Sequence, residues 1–159
     1  MATKVTVGKL NVSVTEAVTV NGVDHFYNSV YSVAGINATF HRIIRVPTAA
    51  QTALLEFDAG TGTTVTTPSA GSFVPGEIKY LRVTNLDDTN FVTLRLRDRS
   101  ADTVYLKLSA GQTMTFYGVE IEVSASAAAW SAWATSDDLS AQANTAAVDV
   151  EIFAASIAA

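Results

Sequence analysis

The stretch Ile78-Lys-Tyr-Leu-Arg-Val-Thr-Asn-Leu-Asp-Asp-Thr-Asn-Phe-Val-Thr-Leu-Arg-Leu-Arg97 decides the fold class. From Ile78 to Leu86 the residues alternate, with Ile78, Tyr80, Arg82 and Thr84 on one side and Leu81 and Val83 on the other. Beyond Asp87-Asp88-Thr89-Asn90, the apolar Val92, Leu94 and Leu96 alternate with Thr93, Arg95 and Arg97. A period of two marks strands with one dry and one wet face. Two such runs around a turn of Asp and Asn predict a hairpin.

The same pattern continues on both sides. A polar turn at Asp98 to Asp102 leads to a strand at Thr103 to Leu108. Ser109-Ala110-Gly111-Gln112 then turns the chain into Thr113 to Tyr117, and Gly118 passes it to Ile121 and Val123. Upstream, Phe40 to Val46 reads as a strand stopped by Pro47, Pro47 to Thr52 has room for one helical turn, and Ala53 to Phe57 is a strand. Ala59 to Gly76 is rich in Gly, Thr, Ser and Pro and reads as a long surface loop, with space for a short strand at Thr63 to Thr67.

Near the start, Val12, Val14, Val18 and Val20 alternate up to Asn21-Gly22, the strongest short-range hairpin signal. Residues 1–23 therefore read as a strand hairpin or docking arm, and Asp24 to Asn37 as a second strand or an irregular connection. After Ser124 the chain is nearly all Ala, Ser and Trp to Ala134, where a short helix is the alternative to irregular structure. Asp137-Asp138 reads as a turn or cap, and Leu139 to Ala143 and Val148 to Phe153 as the last strands.

Eight to ten short strands with polar turns predict an all-β fold, an antiparallel β-sandwich of jelly-roll type. The 59–76 segment would cross between its sheets. With 159 residues and 16.8 kDa, one domain over 1–159 is expected, large enough to bury a core without staples.

Composition agrees with that fold. Twenty Thr and 19 Val favour strands. Hydrophobic residues make up 48% and charged ones 16%, with mean hydropathy +0.25, which excludes a disordered chain. No apolar run approaches the ~20 residues of a membrane span. No export signal is visible at the start, so neither a membrane nor a secreted destination is expected. Cys 0 removes thiolate nucleophiles, zinc ribbons and iron–sulfur ligands.

The net charge of −5, with pI ≈ 4.8, argues against nucleic acid as a partner. Charge is also unevenly placed. All ten Lys and Arg lie at or before Lys107, and the remainder holds six acids, Glu120, Glu122, Asp137, Asp138, Asp149 and Glu151, with no Lys or Arg. Such polarity either guides one subunit onto another or forms a solvated acidic edge.

Residues able to carry chemistry are few. Gly60-Thr61-Gly62 lacks the third glycine and the lysine of a phosphate loop. His25 and His41 lie far apart, each beside an aromatic residue, and read as ordinary histidines rather than catalytic bases. Asn85, Asp87, Asp88 and Asn90 offer oxygen ligands, but without the glycine and closing glutamate of a calcium loop they read first as a turn. Glu120 and Glu122, roughly 6.5–7 Å apart along a strand, match an inverting glycosidase pair and equally match any wet strand face. No cofactor and no small-molecule ligand is expected.

The remaining candidates concern interactions. Arg82, Arg95 and Arg97 cluster on adjacent strands if the hairpin pairs around Asp87 to Asn90. They then form cross-strand ion pairs or a patch that meets acidic surface on a neighbour. Trp130 and Trp133 read as a core plug, an intersubunit anchor or a sugar-stacking pair. Asp137 and Asp138 complete the set.

Leu81-Arg-Val-Thr-Asn-Leu-Asp-Asp-Thr-Asn-Phe-Val-Thr-Leu-Arg-Leu, then Leu106-Lys-Leu-Ser-Ala-Gly-Gln-Thr-Met-Thr-Phe, resembles the small β-sandwich virion structural proteins of tailed bacteriophages. The closing Ala143-Asn-Thr-Ala-Ala-Val-Asp-Val-Glu-Ile-Phe is similar to their last strands. The likeness covers about half the chain, mainly Lys79 to Tyr117 and Ala141 to Phe153. It implies assembly rather than catalysis, and no catalytic residue carries over. The expected role is a capsid decoration (cement) protein in the virion, a homo-oligomer, specifically a trimer, bound to major capsid protein. A neck, tail or fibre component and a carbohydrate-binding module using Trp130 and Trp133 are the alternatives.

Overall fold

The computed structural model describes residues 6–57, 71–98, 102–117 and 136–157. The chain forms β1 (Gly8–Val20), β2 (Val23–Ile36), β3 (Ala38–Val46), β4 (Thr52–Phe57), β5 (Gly71–Phe73), β6 (Ile78–Asn85), β7 (Val92–Asp98), β8 (Thr103–Leu108), β9 (Thr113–Tyr117), β10 (Ser136–Ala143) and β11 (Val148–Ser156). One 3-10 turn, Pro75–Glu77, precedes β6. Pro47 to Gln51 bends without making a helical turn, and β4 starts at Thr52.

A four-stranded sheet runs β3-β11-β6-β9 and a five-stranded sheet runs β5-β4-β10-β7-β8. All pairings are antiparallel except β4 with β5. Setting aside the short β5, successive strands switch sheets at every step except β7 to β8. That alternation within two four-strand sets is the double Greek key of a jelly roll. The expected sandwich is therefore present, with the third sheet, β1-β2, added at its side.

The core lies between the two inner faces. Leu81, Val83, Val150 and Ile152 from one sheet meet Leu94, Val92, Leu139 and Ala141 from the other, all at most 2% exposed. The rings of Phe40 in β3 and Phe73 in β5 meet edge-to-face at 6.2 Å and close one side. The alternation predicted for Val92, Leu94 and Leu96 holds, since all three are buried.

Ile78 departs from its expected side. The register of β6 on β11 slips so that Ala155 pairs with Tyr80 and Ser156 with Ile78. The extra residue, Lys79, turns Ile78 inward, where it is 4% exposed, instead of beside Tyr80, Arg82 and Thr84. A second slip between Leu139 and Ser140 leaves Leu54 without a partner on β10, and both Leu54 and Leu55 are fully buried.

The predicted hairpin about Asp87 to Asn90 is absent. β6 and β7 belong to opposite sheets, and the turn is an arch joining them. Asn85, fully buried, holds this arch. Its Nδ2 donates to the carbonyls of Asn90 (2.8 Å) and Leu108 (3.2 Å), and its Oδ1 accepts from Asp87 N (2.9 Å). Gly111 N donates to Asp87 O, tying the β8–β9 turn to the arch.

Candidate interaction surface

The sequence patterns at Asn21-Gly22 and beyond build one long β-hairpin. Asn21 (φ 51°) and Gly22 (φ 77°) take the two left-handed positions of a type I′ turn, which matches the twist of paired strands. Pairing continues without a break from Val20↔Val23 back to Lys9↔Ala34. Asp24 to Ile36 is thus strand, not irregular connection. Gly35 (φ 86°) is the extra residue at the foot, where Lys9 pairs with Ala34 and Gly8 with Ile36. A left-handed glycine bulge there bends the hairpin relative to β3.

Period two splits this arm into two faces. Leu10, Val12, Val14, Glu16, Val18 and Val20 share one face with Val23, Tyr27, Tyr31 and Val33. At the base this face leans on the outside of the four-stranded sheet. The rings of Tyr31 and Tyr117 meet at a tilt of 44° with centroids 5.3 Å apart, and Leu10 to Ser13 border a shallow groove with Tyr80, Arg82 and Phe153. Beyond Val14 none of the described residues covers it: Val18, Val20, Val23 and Tyr27 are exposed, as are Phe26 (69%) and Val30 on the opposite face. The tip therefore projects roughly 20 Å as a free two-stranded ribbon.

The predicted basic cluster is divided between the sheets. Arg82 lies outside the four-stranded sheet, and Arg95 and Arg97 outside the five-stranded one. Each has carboxylates of its own. Arg82 donates to Glu151 at 2.7 Å, and the other oxygen of Glu151 contacts His41 Nε2 at 2.8 Å. Arg45 pairs with Asp149 at 3.3 Å. Arg95 donates to both oxygens of Asp138, and Arg97 contacts Asp137 and Asp138.

Asp137 and Asp138 accordingly form part of β10 rather than a turn or cap. The slip that pairs Ser136 with Asp98 and Asp138 with Arg97 makes Asp137 a bulge residue, so two consecutive carboxylates reach one guanidinium. Partial burial pulls the Arg97 value down. The carboxylates of Asp138 and Asp137 outweigh that, and Arg97 is held above its ordinary value.

These pairings explain the charge asymmetry. Four of the six late acids sit on β10 and β11, each flanked on both sides by earlier strands, and they neutralise earlier cations. The polarity along the sequence becomes an internal match. It forms no acidic edge at these four positions.

The arch keeps its oxygens for itself. Asp87 Oδ1 accepts from the backbone N–H of Asn90 and Thr89 and from Asn90 Nδ2. Those bonds favour the ionised carboxylate and lower its pKa. Among the described residues no group of three His, Cys, Asp or Glu is placed to hold a metal ion, and no helix is long and apolar enough to cross a membrane. Glu120, Glu122, Trp130, Trp133 and the Gly60 to Gly62 stretch lie outside the described residues.

Sequence reading offered a hairpin or docking arm over residues 1–23 but missed that the arm runs on through Ile36 and that its end is exposed. Its signal was present: from Leu10 to Ala34 there is no Lys, Arg or Pro, the residues that usually blunt exposed strands. It also missed Ile43, 61% exposed between His41 and Arg45 on the outer face of β3.

The fold and surface define a jelly-roll β-sandwich with a projecting β-arm. No family model, curated protein or solved structure matches the chain.

Proposed function

We propose that the chain is a non-enzymatic structural protein of a tailed-bacteriophage virion, a capsid decoration (cement) protein that oligomerises and binds the major capsid protein. The observation that carries this reading is the arm, a long ribbon with uncovered valines and aromatics on a sandwich whose arginines Arg82, Arg95 and Arg97 are ion-paired within the chain. Exposed apolar surface of that kind serves contact with another protein. The likeness of Lys79 to Tyr117 and Ala141 to Phe153 to small virion proteins supplies the kind of particle.

The test is co-sedimentation of purified full-length protein with shells assembled from major capsid protein. Saturable binding and a raised shell melting temperature are expected. Failure to bind shells, with labelled protein imaged at the neck or tail, would move the protein to that part of the virion. Binding to a glycan array in place of shells would replace the reading with a carbohydrate-binding one.

A further inference from the structure

We infer that the tip of the β1–β2 arm docks on a second copy of this chain, against the outer face of the partner's four-stranded sheet around Ile43. This rests on the oligomer in the reading above and names the surfaces that make it.

Three observations fit together. First, the arm already shows what its apolar face binds. Its inner half, through Leu10, Val12 and Tyr31, lies over the outside of that same sheet, next to Phe153, Tyr80 and Tyr117. The outer half continues the same alternation with none of the described residues beneath it, and β3 leaves Ile43 uncovered on that sheet.

Second, charge matches. Glu16 stands in the middle of the apolar arm face, opposite Tyr27, and no cation of the described residues pairs with it. Ile43 is flanked by His41 and Arg45, whose side chains are 57% and 70% exposed, and the two acids beside it are already engaged, Glu151 by Arg82 and His41 and Asp149 by Arg45. Among the described residues Arg45 is held by a 3.3 Å contact to half-exposed Asp149, which leaves its guanidinium donors to spare.

Third, area is sufficient. Val18, Val20, Val23 and Tyr27 together expose on the order of 400 Å². A copy that both gives and receives an arm buries about twice that, near the roughly 800 Å² per partner of a stable interface. Such an exchange stays finite either as a reciprocal two-fold dimer or as a closed ring, the expected trimer among them.

The experiment is light scattering after size exclusion on the full chain at tens of micromolar. It includes a variant in which Glu16–Tyr27 are replaced by Asn-Gly, which keeps the arm base. The wild type should run as a closed oligomer and the short-arm variant as a monomer with an unchanged sandwich melt. Glu16→Arg should weaken association at least tenfold, and Arg45→Glu in the same chain should restore it, which keeps the test sound if the short arm misfolds.

Because the chain has no cysteine, Tyr27→Cys with Ile43→Cys gives the only thiols. Oxidation should link copies in the double variant and in neither single one. A monomeric wild type, an oligomer unchanged by arm shortening, or linkage through Tyr27→Cys alone overturns the inference. The two proposals fail separately. An arm-dependent oligomer that ignores shells sinks only the virion role, and a monomer that binds shells sinks only the arm exchange.

Discussion

Asp138 in β10 stands opposite Arg97 and diagonal to Arg95 in β7, with one Arg95 nitrogen 3.0 and 3.2 Å from its two oxygens. Both side chains are mostly covered, at 11% and 20% exposure. Removing one member leaves the other poorly solvated, so Asp138→Ala should lose about 2–3 kcal/mol in urea unfolding. Asp137→Ala, at a side chain 38% exposed, should lose under about 1 kcal/mol.

Asn85 offers a sharper test because all its polar atoms are used. Asn85→Ala leaves the Asn90 and Leu108 carbonyls and the Asp87 N–H without this partner inside the arch. A loss of about 2–4 kcal/mol is expected in chemical denaturation. Asn85→Asp should do no better, because a carboxylate cannot donate to the two carbonyls.

The Asp87 carboxyl should titrate below its ordinary value, since the N–H groups of Asn90 and Thr89 hold it ionised. A folded value under the unfolded one contributes stability above the unfolded value and loses it as pH falls through the folded one. Stability measured at descending pH should therefore drop below about pH 4, and less steeply in Asp87→Asn. Carbon-detected NMR titration of the side chain gives the midpoint directly. An ordinary midpoint would contradict the assignment.

Gly22 controls the arm alone. Its φ of 77° suits glycine, and Gly22→Val should weaken the turn by about 1–2 kcal/mol. The sandwich has no stake in that turn. Amide exchange should therefore speed up from Glu16 to Tyr27 while the strands of the core keep their protection.

Much of the fold was legible because its signals are local. Thr103–Leu108 and Thr113–Tyr117 begin and end where alternation and the Ser109 to Gln112 turn place them. Asn21-Gly22 announced the arm for the same reason, since a left-handed turn is written in two residues. Ile78, Leu54 and Asp137 were misread or unreadable because one extra residue inverts a face, and a bulge leaves no mark in a period-two pattern.

By itself, then, the sequence determined the all-β class, most of the sandwich strands and the arm's turn. Each of these depends on neighbours within a few residues. Only the tertiary structure decided that β6 and β7 part into different sheets, that Arg82 is separated from Arg95 and Arg97, and that the late acids meet the early cations. A strand's backbone offers identical donors and acceptors to any partner. The choice among partners is made by the burial of whole faces, and that is settled between residues far apart in the chain, 110 positions in the case of His41 and Glu151.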